Sequence, residues 1–215
     1  MLSRIASAVV PVLGRLTVTA DVASLPAGGA VIVANHTSLA DPAVVMAALR
    51  RLGTEPVVLA TAGLWRIPLL GWSLTREGHV PVRRGTARAS EALETAVEAL
   101  RAGRHVLVYG EGRLPVRPDS GEAPPEDFRS GPARLAGAAG VPLVPLGQAG
   151  ARRITSGSTG KQLAGLLTAP VRRPRLHVHV GTPRSLPADT REAAAHARHA
   201  VTAAWEVATR ALREV

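Results

Sequence analysis

Cysteine is absent from this chain of 215 residues. Its absence excludes disulfide bonds, thiolate-ligated metal sites and a cysteine nucleophile. Any nucleophile must therefore be an oxygen of the protein or belong to the substrate. A chain without disulfides also fits a reducing compartment, and we expect a cytoplasmic protein.

Aromatic residues and lysine are almost as scarce. The chain has too few aromatic side chains for the stacking platforms that bind single-stranded nucleic acid. Lys161 is the only lysine, so arginine carries nearly all the positive charge behind the formal net charge of +10. This charge favours anionic partners such as acidic lipid headgroups, phosphorylated small molecules or nucleic acid. Nothing but charge favours nucleic acid, and we expect no nucleic-acid partner. The aromatic residues are Trp65, Trp72, Tyr109, Phe128 and Trp205.

No apolar run in the sequence is long enough to cross a bilayer. The apolar N-terminal stretch is short and is interrupted by Pro11. It predicts a short helix over residues 1–14 that lies on the surface or contacts a membrane, followed by one domain over residues 15–215. A weak signal peptide is the alternative interpretation, although no convincing small-residue cleavage site follows.

Short apolar stretches alternate with helical patterns along the chain, without an internal repeat. This alternation predicts an α/β fold. Prolines in the strand over Val141–Leu146 suggest an edge strand or an irregular end. The predicted strands are Arg15–Thr19, Ala30–Ala34, Val57–Ala60, Val80–Val82, His105–Tyr109, Val141–Leu146 and Leu176–Val180, and the predicted helices are Pro42–Arg51, Ser90–Arg101, Gly131–Ala139 and Thr190–Arg213.

Three regions are predicted to be loops. An apolar loop separates the strands near residues 60 and 80, and the stretch Leu114–Glu126 is rich in proline, glycine and acids. The region Ala151–Pro174 contains many Gly, Ser and Thr residues, which suggests loops around a short segment at Leu163–Leu167.

A histidine and an aspartate, His36 and Asp41, directly follow the buried-strand pattern Ala30–Ala34. An imidazole there can take a proton from a hydroxyl near neutral pH, provided that a carboxylate holds its other nitrogen in the required tautomer. The pair therefore predicts general-base chemistry at the end of a strand. The alternative is structural, because Asp41 followed by Pro42 is also a good helix start with Asp41 as the N-cap.

A serine next to this histidine raises the possibility of a hydrolase with Ser38 as nucleophile. The Gly-x-Ser-x-Gly pattern of a nucleophile elbow is not matched by residues 156–160. Ser38 also lies where a helix-starting serine is common, and we favour that structural interpretation.

Two histidine pairs could approach each other, His177 with His179 on a strand and His196 with His199 on a helix. Neither pair has a carboxylate or third ligand in its own segment, so a zinc site is not favoured. We expect neither a metal nor a cofactor.

Four segments occur in an order that is typical of one family. The first is Asn35-His36 with Asp41, and the second runs from Ile67-Pro68 to Arg83-Arg84. The third and fourth are Gly110-Glu111-Gly112-Arg113-Leu114 and Val141-Pro142-Leu143-Val144-Pro145, with Phe128–Ala136 between them. Over about Arg15–Leu146 the chain resembles the glycerolipid acyltransferases of the lysophosphatidic acid acyltransferase type. The resemblance implies a single domain with a mixed, mostly parallel sheet flanked by helices, as in glycerol-3-phosphate acyltransferases.

The third segment departs from the family pattern of Pro-Glu-Gly-Thr-Arg. Gly110 replaces the usual proline, Arg113 arrives one position early, and the loop Leu114–Asp127 is longer than usual. These changes fall in the acceptor-recognition block, so they leave the reaction class better supported than the acceptor.

The resemblance also implies roles for individual residues. His36 would be the general base, and Asp41 would hold its ring. Arg84 would bind the phosphate of the acceptor, with Arg113 or Arg83 as further candidates. Glu111 and Gly112 would help to order the acceptor site, although Glu111 could equally be an ion-pair partner of a nearby arginine.

The implied reaction moves a fatty acyl chain from acyl-CoA or acyl carrier protein to the hydroxyl of a lysophospholipid such as 1-acylglycerol-3-phosphate, without a covalent enzyme intermediate. The implied partners are the acyl thioester donor, the lysophospholipid acceptor and an anionic membrane surface. We expect the protein to be peripheral at the inner face of the cell membrane. The alternatives are a different lipid acceptor, a thioesterase, or a lipid-binding module on the same fold.

Overall fold

The computed structural model describes residues 1–83, 89–115 and 119–214. Its centre is a sheet of seven strands in the order β1-β7-β6-β2-β5-β3-β4. The strands are β1 (Arg15–Ala20), β2 (Val31–Ala34), β3 (Val57–Thr61), β4 (Val80–Val82), β5 (Val106–Tyr109), β6 (Leu143–Ala149) and β7 (Arg175–Val180).

Most neighbouring strands are parallel. β2 lies between β5 and β6 and is parallel to both, while β3 is parallel to β5 and β4. The exception is β7, which is antiparallel to β6 and carries the parallel strand β1 at the edge. The prediction of an α/β domain with a mixed, mostly parallel sheet is therefore confirmed.

Seven α-helices are found in the described ranges, and they cover both faces of the sheet. Alternation along β2 divides the core, because Ile32 packs with α1 and α2 on one face whereas Val31 and Val33 pack with α4, α5 and α7 on the other. The helices are α1 (Leu2–Leu13), α2 (Asp41–Arg51), α3 (Pro68–Arg76), α4 (Ala89–Arg101), α5 (Gly131–Ala139), α6 (Thr159–Arg172) and α7 (Thr190–Ala211), with short 3-10 turns at Ala62–Arg66 and Ala151–Arg153.

The prediction of an apolar loop between the strands near residues 60 and 80 is wrong. A 3-10 turn and α3 occupy the region, with Pro68 in the first turn of α3. Their outward residues are also apolar, since Leu69 and Trp72 are exposed, so the sequence lacks the alternation of an ordinary surface helix.

The loops predicted for Ala151–Pro174 are also wrong, because α6 runs through most of this region. Its glycines and Pro170 lower its helix propensity, so the sequence pattern does not indicate a helix in this region. Tertiary packing compensates, since the carbonyl of Ile154 lies where a side chain on Gly165 would be. Buried Ala169 anchors the helix in the core.

Of the two alternatives predicted for the sixth strand, the edge position is wrong, whereas an irregular end is found at Pro145, where the ladder with β7 stops. β6 lies inside the sheet and all its residues are buried. Pro145 is tolerated because the ladder with β7 covers only Leu146–Ala149. Its carbonyl accepts a hydrogen bond from Gly181 N, 2.9 Å away, just beyond the end of β7, and an isolated bridge between Leu143 and Arg184 follows on the same side.

Across the described ranges, no helix combines the length and apolar character that crossing a membrane would require.

Candidate active site

The loop after β2 is fixed by its neighbour β6. The Asn35 side chain donates from Nδ2 to the Gln148 carbonyl, 3.0 Å away, and accepts at Oδ1 from Gln148 N, 2.8 Å away. The Gln148 side chain donates in turn to Thr37 Oγ1 at 3.0 Å. Because β2, β5 and β6 are parallel, residues that follow their carboxyl ends share one edge of the sheet, where ligand sites of open α/β sheets form.

His36 and Asp41 are in contact at this edge. His36 Nδ1 lies 2.9 Å from Asp41 Oδ2, and the Asp41 side chain is fully buried. The same oxygen accepts hydrogen bonds from the backbone N–H groups of Thr37 at 2.5 Å and Ser38 at 2.8 Å. These bonds fix the carboxylate against the turn that carries the imidazole.

The alternative role of Asp41 as an N-cap is wrong. α2 begins at Asp41, its cap position is Ala40, and no side chain caps it. The carboxylate bonds to N–H groups that precede the helix, so it orders the His36 turn instead of the helix end.

The carboxylate determines which nitrogen of His36 can act as a base. Because Asp41 accepts, Nδ1 is assigned as the N–H donor and Nε2 retains its lone pair. Nε2 makes no hydrogen bond with the part of the chain that the structure describes. The imidazole side chain is 16% exposed, so the ring is not fully closed off from solvent.

Tyr109, at the end of β5, stacks on the imidazole. The ring centroids are 4.2 Å apart and the planes are inclined by 26°. Burial, followed by the nearby charge of Asp41, raises the pKa of Tyr109 well above its usual range, so the phenol stays neutral. No sequence motif assigns Tyr109 a role, and its only signal in the sequence is its position directly before Gly110 and Glu111.

Glu111 contacts the backbone of His36, the candidate general base. Its Oε1 accepts a hydrogen bond from His36 N at 2.9 Å, and the residue is 4% exposed. Burial raises the pKa of Glu111 to about 7, with additional repulsion from Glu126 and Asp41, against the lowering effect of the His36 N–H. Among the described residues no arginine pairs with Glu111, which disfavours the interpretation that it is an ion-pair partner.

The replacement of the usual proline at Gly110 has a packing reason. The ring of Phe128 occupies the space that a side chain at Gly110 would fill. Arg129 N also donates to the Gly110 carbonyl at 2.9 Å, which holds the Phe128 segment against the end of β5.

A polar cavity of about 560 Å³ opens beside Glu111. Arg113 pairs with Glu126 at 3.2 Å, and Arg198 of α7 pairs with Asp127 at 3.4 Å. The guanidinium of Arg129 makes no hydrogen bond or ion pair with the described part of the chain. The cavity is lined by Glu111, Arg113, Glu126, Asp127, Phe128, Arg129 and Arg198.

The predicted phosphate ligands are found in different places. Arg84 lies outside the described residues. Arg83 follows β4 and is exposed. In the sheet, β4 is separated from β2 by β5 and β3, and Arg83 is not among the residues that line the cavity. Arg113 does line it, and Gly112 adopts φ +71° beside the Arg129 side chain, 3.3 Å from where a Cβ would lie.

Arg129 and Arg198 were missed as site residues. Arg129 lies in the quoted Phe128–Ala136 segment, whereas Arg198 is on a helix that is distant in sequence and carries no motif. Only the packing of α7 near the loop Leu114–Asp127 brings Arg198 to the cavity, where its Nε donates to the Pro125 carbonyl at 3.3 Å.

The long loop is tied to the site through buried groups. Glu122 Oε1 accepts from Gly150 N at 2.8 Å, and burial raises the pKa of Glu122. Buried Arg152 donates to the Thr37 carbonyl at 2.9 Å and also to the carbonyl of Asp119 in the loop. The inserted residues therefore brace the turn between His36 and Asp41.

The geometry does not support Ser38 as a nucleophile. Ser38 is buried, and its Oγ lies 2.5 Å from Thr155 Oγ1 and donates towards the Thr155 carbonyl at 2.9 Å. It also accepts from Ala40 N at 3.1 Å, so the hydroxyl is engaged in holding the loop.

The two strand histidines have structural partners. Both His177 Nε2 and His179 Nδ1 lie 2.9 Å from Thr19 Oγ1, and His179 Nε2 lies 3.3 Å from Asp21. Within the described ranges no cluster of three or more His, Asp or Glu residues has an arrangement that could hold a metal ion.

Comparisons with known proteins show the family of the chain. The model of the Acyltransferase family matches residues 15–148. The chain is 31% identical over 132 residues to the chloroplastic 1-acyl-sn-glycerol-3-phosphate acyltransferase BAT2 of Brassica napus, covering 60% of this chain and 36% of that protein. It is 28% identical over 135 residues to a probable 1-acyl-sn-glycerol-3-phosphate acyltransferase of Mycoplasma genitalium, covering 62% of this chain and 48% of that protein.

The fold has a solved counterpart. The crystal structure of the 1-acyl-sn-glycerophosphate acyltransferase PlsC from Thermotoga maritima superposes with a TM-score of 0.70 at 19% identity, over 99% of this chain and 77% of that one. The present chain spans about a third to a half of the length of the curated relatives cited above. The family match covers more than half of the chain, and this chain therefore belongs to the Acyltransferase family.

Proposed function

We propose that this chain catalyses the transfer of a fatty acyl group from a thioester to the hydroxyl of a lysophospholipid, with 1-acylglycerol-3-phosphate as the first candidate acceptor. The observation that carries the proposal is His36, whose Nδ1 lies 2.9 Å from Asp41 and whose backbone N–H bonds to Glu111, a lining residue of the cavity with three arginines. The names of the curated relatives support the same acceptor class.

In the proposed reaction, His36 Nε2 takes the proton of the acceptor hydroxyl as its oxygen attacks the thioester carbonyl carbon. The C–O bond forms, the C–S bond breaks, and the leaving thiolate takes the proton from Nε2. Asp41 stabilises the imidazolium in between. The scheme needs neither a covalent enzyme intermediate nor a metal or resident cofactor.

The acceptor phosphate would bind in the cavity beside Glu111. Arg129 is the first candidate ligand because its guanidinium has no partner in the described ranges, and Arg113 and Arg198 can exchange exposed ion pairs for phosphate oxygens. The family resemblance adds Arg84 as a further ligand. Arg83 is a weaker proposal, since it does not line the cavity.

The remaining features follow from the substrates. The donor would be acyl-CoA or acyl carrier protein, and the acceptor would be drawn from an anionic membrane. The protein would accordingly act in the cytoplasm, peripheral to the inner face of the cell membrane.

The test is thiol release from acyl-CoA by the purified chain, with and without 1-acylglycerol-3-phosphate. Release that depends on the acceptor, together with formation of the diacyl product, is the expected result. Release that is independent of the acceptor would identify a thioesterase, and absence of release with both CoA and carrier-protein donors would identify a binding module. Both of these results would contradict the proposal.

A further inference from the structure

Two neighbouring helices, α1 and α6, expose an unusual amount of apolar side chain. On α1 the exposed residues Ile5, Val9 and Val12 follow one another at helical spacing. On α6 the exposed residues Leu163, Leu167 and Val171 lie four positions apart, and Leu167 is 69% and Val171 is 88% exposed. We call these six residues the α1–α6 face: Ile5, Val9, Val12, Leu163, Leu167 and Val171.

The two helices lie side by side on the same face of the sheet. Arg173, directly after α6, donates from Nη2 to the Pro11 carbonyl of α1 at 3.2 Å. Their inner residues, Val10 and Ala169, belong to the same core cluster. The outward stripes therefore face the same region of solvent, and the exposed patch spans two helices instead of one.

The two segments that contain these helices carry charges of one sign. Residues 1–20 and 149–188, which contain both helices, have nine arginines or lysines and no aspartate or glutamate. Arg4 on α1 and Lys161 on α6 are exposed on the helices themselves. The acids that contact α1, Glu55 and Glu77, bond to its N-terminus and to the buried Ser3, so they do not belong to the apolar stripe.

We propose that the α1–α6 face inserts into the surface of an anionic lipid bilayer. Aliphatic side chains flanked by basic residues match a leaflet, in which acyl chains lie beneath negatively charged headgroups. α6 lies outside residues 15–148 that match the Acyltransferase family, so the family match does not account for this half of the face.

The face is connected directly to the candidate active site. Thr155, just before α6, hydrogen-bonds to Ser38 Oγ and to Ala40 N at 3.1 Å. Leu39, between these two residues, is 63% exposed. Docking through α6 would therefore bring the His36 loop next to the bilayer that holds the lipid acceptor. The benefit of this proximity rests on the proposed function, whereas the docking itself does not.

The experiment is flotation of the full chain with phosphatidylcholine vesicles, with and without phosphatidylglycerol. The unchanged chain should float with anionic vesicles, and less with neutral ones. A variant with Leu163→Ser, Leu167→Ser and Val171→Ser should lose at least about tenfold in partitioning. A control with Leu52→Ser and Val207→Ser, two exposed aliphatic residues outside the face, should float like the unchanged chain.

Two results would overturn the inference. The first is flotation of the α6 variant at the level of the unchanged chain. The second is a stable dimer in sedimentation without lipid that the same three substitutions abolish, because the face would then join two copies.

Transfer to a short-chain, water-soluble acceptor separates this inference from the proposed function. The α6 variant should retain that transfer and its melting temperature. A chain that floats but transfers no acyl group would refute the proposed function and leave the docking face intact.

Discussion

The ring of Tyr109 lies against the imidazole of His36, with the two centroids 4.2 Å apart. Asp41 holds one edge of the imidazole and Tyr109 covers one face, so the ring has little freedom to rotate. Nε2 is the part of the ring that stays available. A base fixed in this way loses little entropy when the acceptor hydroxyl arrives.

The Tyr109 hydroxyl is expected to be dispensable while its ring is not. The buried hydroxyl has no hydrogen-bond partner in the described ranges. Tyr109→Phe should keep kcat within about twofold and leave the free energy of unfolding unchanged or raised by up to about 1 kcal/mol. Tyr109→Leu should lower kcat by about tenfold through loss of ring positioning. Steady-state kinetics and urea unfolding measure both effects, and a Phe variant as impaired as the Leu variant would assign the hydroxyl a part in the reaction.

Asp41→Asn should impair catalysis far more than substrate binding. Because Thr37 N and Ser38 N donate to the same oxygen as the imidazole, an amide would place its oxygen there and keep the Nδ1 bond, but it would lack the negative charge that stabilises the imidazolium. We expect kcat to fall on the order of a thousandfold with little change in KM. The variant must be compared at equal folded fraction, because the carboxylate also accepts two backbone N–H groups. A rise in KM with unchanged kcat would contradict the assigned role of Asp41 in the reaction.

Stability should depend on pH through Glu111. Its folded pKa of about 7 lies above its usual 4.5, so between these values the folded chain binds a proton that the unfolded chain has lost. The free energy of unfolding should therefore be highest below about pH 4.5 for this group and decline as pH rises through about 7, by roughly 2–3 kcal/mol in total.

Glu111→Gln provides the matched control, since glutamine resembles the protonated acid. Urea unfolding of both proteins at about pH 5 and pH 8 isolates the contribution of Glu111 from that of Glu122, whose raised pKa acts in the same direction. Equal pH dependence in the two proteins would show that Glu111 does not titrate in this range.

Arg129 and Arg198 should affect the phosphate-bearing acceptor selectively. We expect Arg129→Ala and Arg198→Ala each to raise its KM by about five- to tenfold, with smaller effects on the KM of the thioester. Arg134→Ala on α5 removes an exposed arginine that does not line the cavity and should change neither KM. Exposed ion pairs contribute little to stability, so melting temperatures should stay close together. Equal losses for both substrates would refute the phosphate-binding role.

Local sequence patterns were sufficient for the strands that carry the site. Ala30–Ala34 and His105–Tyr109 are apolar runs with clear ends, and the structure has β2 and β5 within them. The short spacing between His36 and Asp41 could also be recognised, because both residues belong to one turn. These features depend on neighbours along the chain, which a sequence displays directly.

Features that depend on distant contacts were not visible. α6 contains Gly165 and Pro170, and it is stabilised by packing against Ile154 and by burial of Ala169. Pro145 is tolerated inside the sheet only because β7 ends beside it. Arg198 reaches the cavity from a helix that follows the matched family region, so neither its spacing nor a motif indicated its position.

The most direct test of His36 as the general base is acceptor-dependent thiol release by His36→Ala, measured alongside its melting temperature. The substitution removes a partly exposed ring and should leave the melting temperature close to that of the unchanged chain. Release should fall by at least about a thousandfold, because no other described group offers an accessible basic nitrogen at the end of β2. A purified, folded His36→Ala protein that retains more than about a tenth of the original rate would contradict the proposed chemistry.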